Sequence, residues 1–124
     1  MSTPAAARKL YGAPGPDGRT PFWRAPTLWA AAAGKPTVSF AIADLGVLDA
    51  VVWFDSERNV EPTVRRVAER ARDIAAADLA YPIIMTSAGD VLDGAHRIAK
   101  AHLEGRTEIS AVILDDWPPP DGYV

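Results

Sequence analysis

The chain has 124 residues, 48% of them apolar, with 13 basic and 16 acidic side chains and a formal charge of −3. That length fits one domain around one core, the negative balance argues against a broad cationic surface for non-specific nucleic-acid binding, and the lack of cysteine excludes disulfides, thiolate metal sites and cysteine redox chemistry. No run approaches the roughly 18 to 20 apolar residues of a membrane span, and glycines and prolines follow Arg8 and Lys9 where a signal peptide would be apolar, so a cytoplasmic protein with no membrane partner is expected.

Residues 1–35 read as a flexible arm carrying one short helix. Gly12-Ala13-Pro14-Gly15-Pro16-Asp17-Gly18 has no apolar periodicity to offset the entropy of ordering it, whereas Pro26 to Ala33 suits a helix that starts on a proline and stops at Gly34. Thr37 to Ile42 alternates as a first strand, with Val38, Phe40 and Ile42 on one face. Leu48 to Phe54 is apolar and reads equally as a buried strand or an irregular packed segment. Asn59 is positioned to cap a helix whose apolar face holds Val64, Val67, Ala68, Ala71, Ile74 and Ala75, leaving Arg65, Arg66, Glu69, Arg70 and Arg72 on a solvated face rather than on nucleic acid.

Tyr81 to Met85 is a second strand, Ser87-Ala88-Gly89-Asp90 a turn, and Val91-Leu92 an extended run, so a hairpin delivers Asp93. A helix from about Ala95 to Glu104 follows, burying Ala95, Ile98, Ala99 and Leu103, and Gly105 ends it before a last strand at Ser110 to Leu114. From Trp117 onward the proline-rich residues 117–124 read as a tail leaving a domain of residues 36–116. The tryptophans at 23, 29, 53 and 117 are assigned to packing.

The junction Asp93-Gly94-Ala95-His96-Arg97 carries the chemistry. A helix N-terminus presents N–H groups without intrahelical acceptors and a partial positive charge, which suits a phosphate. Gly94 would let the backbone approach the anion closely, or simply make a tight strand-to-helix turn. Arg97 offers a planar fork of donors to phosphate, or a salt bridge to Asp93 or Asp90. His96 donates to phosphate, or serves as a capping or buried hydrogen-bonding group. Asp93 caps the helix, accepts a substrate proton or helps hold a metal, with capping the ordinary use. A zinc site from His96 and His102 is disfavoured, because a spacing of six puts them on different helix faces.

From Tyr81-Pro82-Ile83-Ile84-Met85 through Asp93-Gly94-Ala95-His96-Arg97-Ile98-Ala99 and Gly105 to Ala111-Val112-Ile113-Leu114, the chain resembles the ParB/sulfiredoxin superfamily. The resemblance spans about residues 37–114. It implies an α+β domain, a mixed sheet with packed helices and a phosphate-binding loop at a helix N-terminus, in a bacterial-type protein. Sulfiredoxins carry Gly-Cys-His-Arg here, and Ala95 removes their nucleophile. ParB proteins carry Gly-Glu-Arg-Arg followed by a DNA reader that this chain does not contain, so DNA binding by this chain alone is not expected. ParB-like free-serine kinases carry Asp-Gly-His-His-Arg, the nearest version of the loop. The resemblance therefore implies a nucleotide (ATP, ADP or CTP) with magnesium, held by Gly94, Ala95, His96 and Arg97. It further implies NTPase or small-molecule phosphotransferase activity with Asp93 and Asp49 as catalytic candidates and Asp44 behind them. The competing expectation is a non-catalytic interaction or DNA-partition accessory module acting through a homodimer or a protein partner.

Overall fold

In the computed structural model, which describes residues 8–124, two sheets and three helices enclose apolar residues on both faces of a central sheet. The chain is α+β. Its elements are β1 (Lys9–Tyr11), β2 (Pro21–Arg24), α1 (Ala25–Ala32), β3 (Val38–Ala41), α2 (Val64–Ala76), β4 (Ile83–Thr86), β5 (Val91–Asp93), α3 (Ala95–Leu103), β6 (Glu108–Leu114) and β7 (Gly122–Tyr123). The central sheet has the order β3-β6-β4-β5, with β4 and β6 parallel and the other pairings antiparallel.

All four residues of β4 are buried, which explains why its sequence, Ile-Ile-Met-Thr, is apolar without alternation: helices or loops cover both of its faces. Ile83 and Met85 join Ile98 and Ala101 of α3 with Ile42, Leu45, Ile109 and Ala111 on one side. Ile84 joins Trp23, Leu28, Leu92, Val112 and Leu114 on the other. Since β4 feeds β5 through a Thr86–Asp90 turn and β5 runs straight into α3, the apolar strands fix where α3 begins.

The chain ends depart from the sequence expectation. Residues 1–7 of the expected arm lie outside the described residues, but Lys9–Tyr11 pairs with Pro21–Arg24, and β7 from the tail pairs with the opposite edge of β2. The tail therefore returns to the fold instead of leaving it. Trp117 packs against Trp23 with ring centroids 4.6 Å apart and planes tilted by 44°, the Trp23 indole N–H donates to Pro118 O at 2.7 Å, and Asp121 accepts from the Arg24 N–H and the Thr27 hydroxyl. Those two bonds hold the Asp121 carboxyl below its usual range and secure the start of α1.

One open reading is settled and one expectation is corrected. Leu48 to Phe54 begins in the second half of a 3-10 turn at Gly46–Asp49 and continues as irregular chain, the second of its two readings. Asn59 caps no α-helix: it takes a left-handed conformation after a 3-10 turn at Ser56–Arg58, and the side chain of Thr63 caps α2 by accepting from the Arg66 N–H. Helix α2 is also turned about its axis relative to its apolar pattern. Val64 is 89% exposed and Val67 48%, while Arg70 and Asp73 face inward. In α3, Ile98 and Ala101 are buried, but Leu103 is 75% exposed.

Candidate functional site

The strand-to-helix junction is shaped by Gly94. Its φ is +115°, and a Cβ there would lie 2.5 Å from Ile83 Cγ2 and 2.9 Å from Ile83 Cβ. Both conformation and contact demand glycine, so the tight-turn reading accounts for this residue by itself. Gly94 is the N-cap of α3, its carbonyl accepting from the Ile98 N–H, and no side chain caps the helix. Asp93 is thus not the cap that its position suggested. Its carboxylate instead accepts from Arg97 Nη2 at 3.0 Å and from the Trp29 indole at 3.1 Å.

Arg97 forms the salt bridge anticipated as one of its two readings, while its buried Nε has no partner among the described residues. Such a donor costs about 1–3 kcal/mol when left unpaired.

His96 stands at the centre of the charged groups. Arg8 Nη1 is 3.3 Å from its Nδ1 and Arg70 Nη1 is 3.2 Å from its Nε2, with the ring stacked on Trp53 at 4.8 Å and 14°. A neutral imidazole has one acceptor nitrogen and one N–H. Whichever tautomer is present, one guanidinium therefore faces a donor. Burial, reinforced by Arg8 and then Arg70, pushes the imidazole pKa down to about 4, so the ring is neutral at pH 7. Asp73 partly offsets the cations, at 3.7 Å from Arg8 and 3.6 Å from Arg70.

Two clefts meet at this junction, of about 850 and 800 Å³, and Arg8, Asp93, Gly94 and His96 line both. The larger also receives Ala95, Arg70 and Trp53, and the smaller Arg97, Trp29 and Asp73. Arg8, Lys9, Arg58 and Arg70 line the larger cleft with Asp55 and Asp93, and with Asp73 beside Arg8 and Arg70 counted as well a single positive charge is left over, in a chain of net charge −3.

The structure thus brings Asp93, Gly94, Ala95, His96 and Arg97 to the clefts but not Asp49, which is exposed on the Gly46–Asp49 turn and belongs to neither lining. Arg8 and Arg70 were missed. For Arg70 a signal existed, because Asp73 follows one helical turn later and pairs with it; for Arg8 the sequence holds none. Trp53 and Trp29, assigned to packing, contact His96 and Asp93. Among the described residues no group of three His, Asp or Glu side chains is arranged to hold a metal, and the loop's own carboxylate is engaged by Arg97 and Trp29. With that carboxylate so engaged, a magnesium ion accompanying a nucleotide would be held mainly by the phosphates. Comparison with family models, with curated proteins and with solved structures gives no match.

Proposed function

We propose that the protein binds a nucleotide through its phosphates at the Asp93–Arg97 junction, in the manner of the ParB/sulfiredoxin-like loop, and hydrolyses the nucleotide or passes its terminal phosphoryl group to a small molecule. The observation that carries this reading is the His96 imidazole bracketed by Arg8 and Arg70 at the meeting of two clefts. An anion entering there would separate like charges, accept hydrogen bonds from the guanidiniums and face the uncapped first turn of α3. Gly94 and Ala95 supply backbone without side-chain obstruction, and Arg97 keeps Asp93 turned toward its own guanidinium. Asp93, shared by both clefts, is better placed than Asp49 to receive a proton from an acceptor hydroxyl. Magnesium, on this reading, arrives with the nucleotide.

Calorimetry with ATP, ADP and CTP in the presence of magnesium tests it. At least one should bind with micromolar to millimolar affinity, and Arg97→Ala should weaken that binding about tenfold or more. No heat with any of the three at millimolar concentration would refute the reading.

The second reading, a non-catalytic interaction module, draws on a different observation. Val64, Val67, Ala68 and Ala71 form an exposed apolar strip on α2 of the kind that partner surfaces use. Under that reading Arg97→Ala leaves partner binding intact.

A further inference from the structure

Arg8 reaches the junction from outside the central sheet. It precedes β1, an edge strand of three residues, and its carbonyl accepts from the Ala25 N–H at 3.1 Å, which pins its backbone beside α1. Its guanidinium crosses to His96 and Asp73 and lines both clefts, whereas Arg70 borders only the larger and Arg97 only the smaller. Of the two arginines on the imidazole, Arg70 is fixed to a thirteen-residue helix, and its carboxylate partner, Asp73, lies one turn along that helix. Arg8, on a short edge segment with a side chain 39% exposed, is the freer to turn.

A ligand with one anionic group satisfies the junction itself. A ligand with two gives Arg8 somewhere to go: away from an imidazole that can accept from only one of its two guanidinium neighbours, and onto a second anion in the cationic larger cleft.

We propose that Arg8 is a specificity-determining residue of this site, turning from His96 onto the outer anionic group of a di- or polyphosphate so that such ligands are selected over monophosphates. This rests on the anion-binding reading of the junction. Sheet β1-β2-β7, built from both ends of the described chain, then serves as the support that presents Arg8.

The test is calorimetry of the full chain with inorganic pyrophosphate and orthophosphate, without divalent metal, in wild type and Arg8→Met, which keeps an apolar stem of similar reach. Wild type should bind pyrophosphate about tenfold or more tightly than orthophosphate, as expected for an added charge-assisted contact, and Arg8→Met should lose most of that preference, weakening pyrophosphate by a larger factor than orthophosphate. A measurement on the wild type avoids any effect of the substitution on folding: the Arg8 Nε–H resonance should move with pyrophosphate and stay with orthophosphate. A preference that survives in Arg8→Met, an Arg8 resonance indifferent to pyrophosphate, or equal wild-type affinity for both anions overturns the assignment of Arg8 alone. Failure of the wild type to bind either anion overturns the anion-binding reading as well.

Discussion

At Gly94 one residue satisfies two independent constraints, a φ of +115° and the approach of Ile83. Gly94→Ala should therefore lower stability by about 2–4 kcal/mol, backbone strain and overpacking adding together, seen as a shift of the urea midpoint at unchanged slope. At His96 the sign of the pH dependence follows from a pKa held near 4, below the ordinary 6.5. In the free protein the neutral ring contributes stability that is fully present above pH 6.5 and lost as pH falls toward 4. An anion beside the ring favours its protonated form, so anion binding takes up a proton and strengthens as pH falls. Sulfate, whose charge is constant over this range, should bind several-fold more tightly at pH 5 than at pH 7.5. His96→Gln should remove that dependence, and a pH-independent wild-type affinity would show that the ring does not face the anion.

Among the elements, α2 and the chain ends depart furthest from what their sequences suggest. The apolar spacing of α2 predicts a buried Val64–Val67–Ala71 face, yet the helix is held by polar contacts. Lys100 of α3 donates to the carbonyls of Ala75 and Ala77 at 3.1 and 2.7 Å, closing the C-terminal end of α2, while Arg70 and Asp73 face His96. Lys100→Met, which keeps the stem and removes the donor, should cost about 1 kcal/mol in chemical denaturation. At the other end, Trp117→Ala removes the tilted ring contact with Trp23 and should cost about 2–3 kcal/mol, with loss of protection from hydrogen exchange at β7 before the central sheet. Periodicity could not reveal either feature. Strands of two to four residues carry no pattern, and β7 acquires its structure from β2, about 100 positions away in the chain. By contrast β4, β5, α3 and β6 were legible, because uninterrupted apolar runs, a Gly-Asp turn and a helical repeat all agree over Ile83 to Leu114.

For the whole molecule, the parallel pair β4 and β6 with α3 between them sets the junction, and the terminal sheet and α2 each bring a cation to it, one on either ring nitrogen of His96. The local motif was readable since its residues are contiguous; its charged surroundings were not, since Arg8 and Arg70 lie 88 and 26 positions from His96. No helix among the described residues is long and apolar enough to cross a membrane. The central claim, that the junction is a phosphate site, makes a spatial prediction. Addition of ADP or CTP to isotopically labelled protein should produce saturable shifts in the amides of Gly94 to Arg97 and the indole of Trp53, while Val64 and Val67 on the far face of α2 stay still. Amides of the Asp93–Arg97 segment that remain unmoved by millimolar nucleotide, or shifts confined to other parts of the chain, would contradict it.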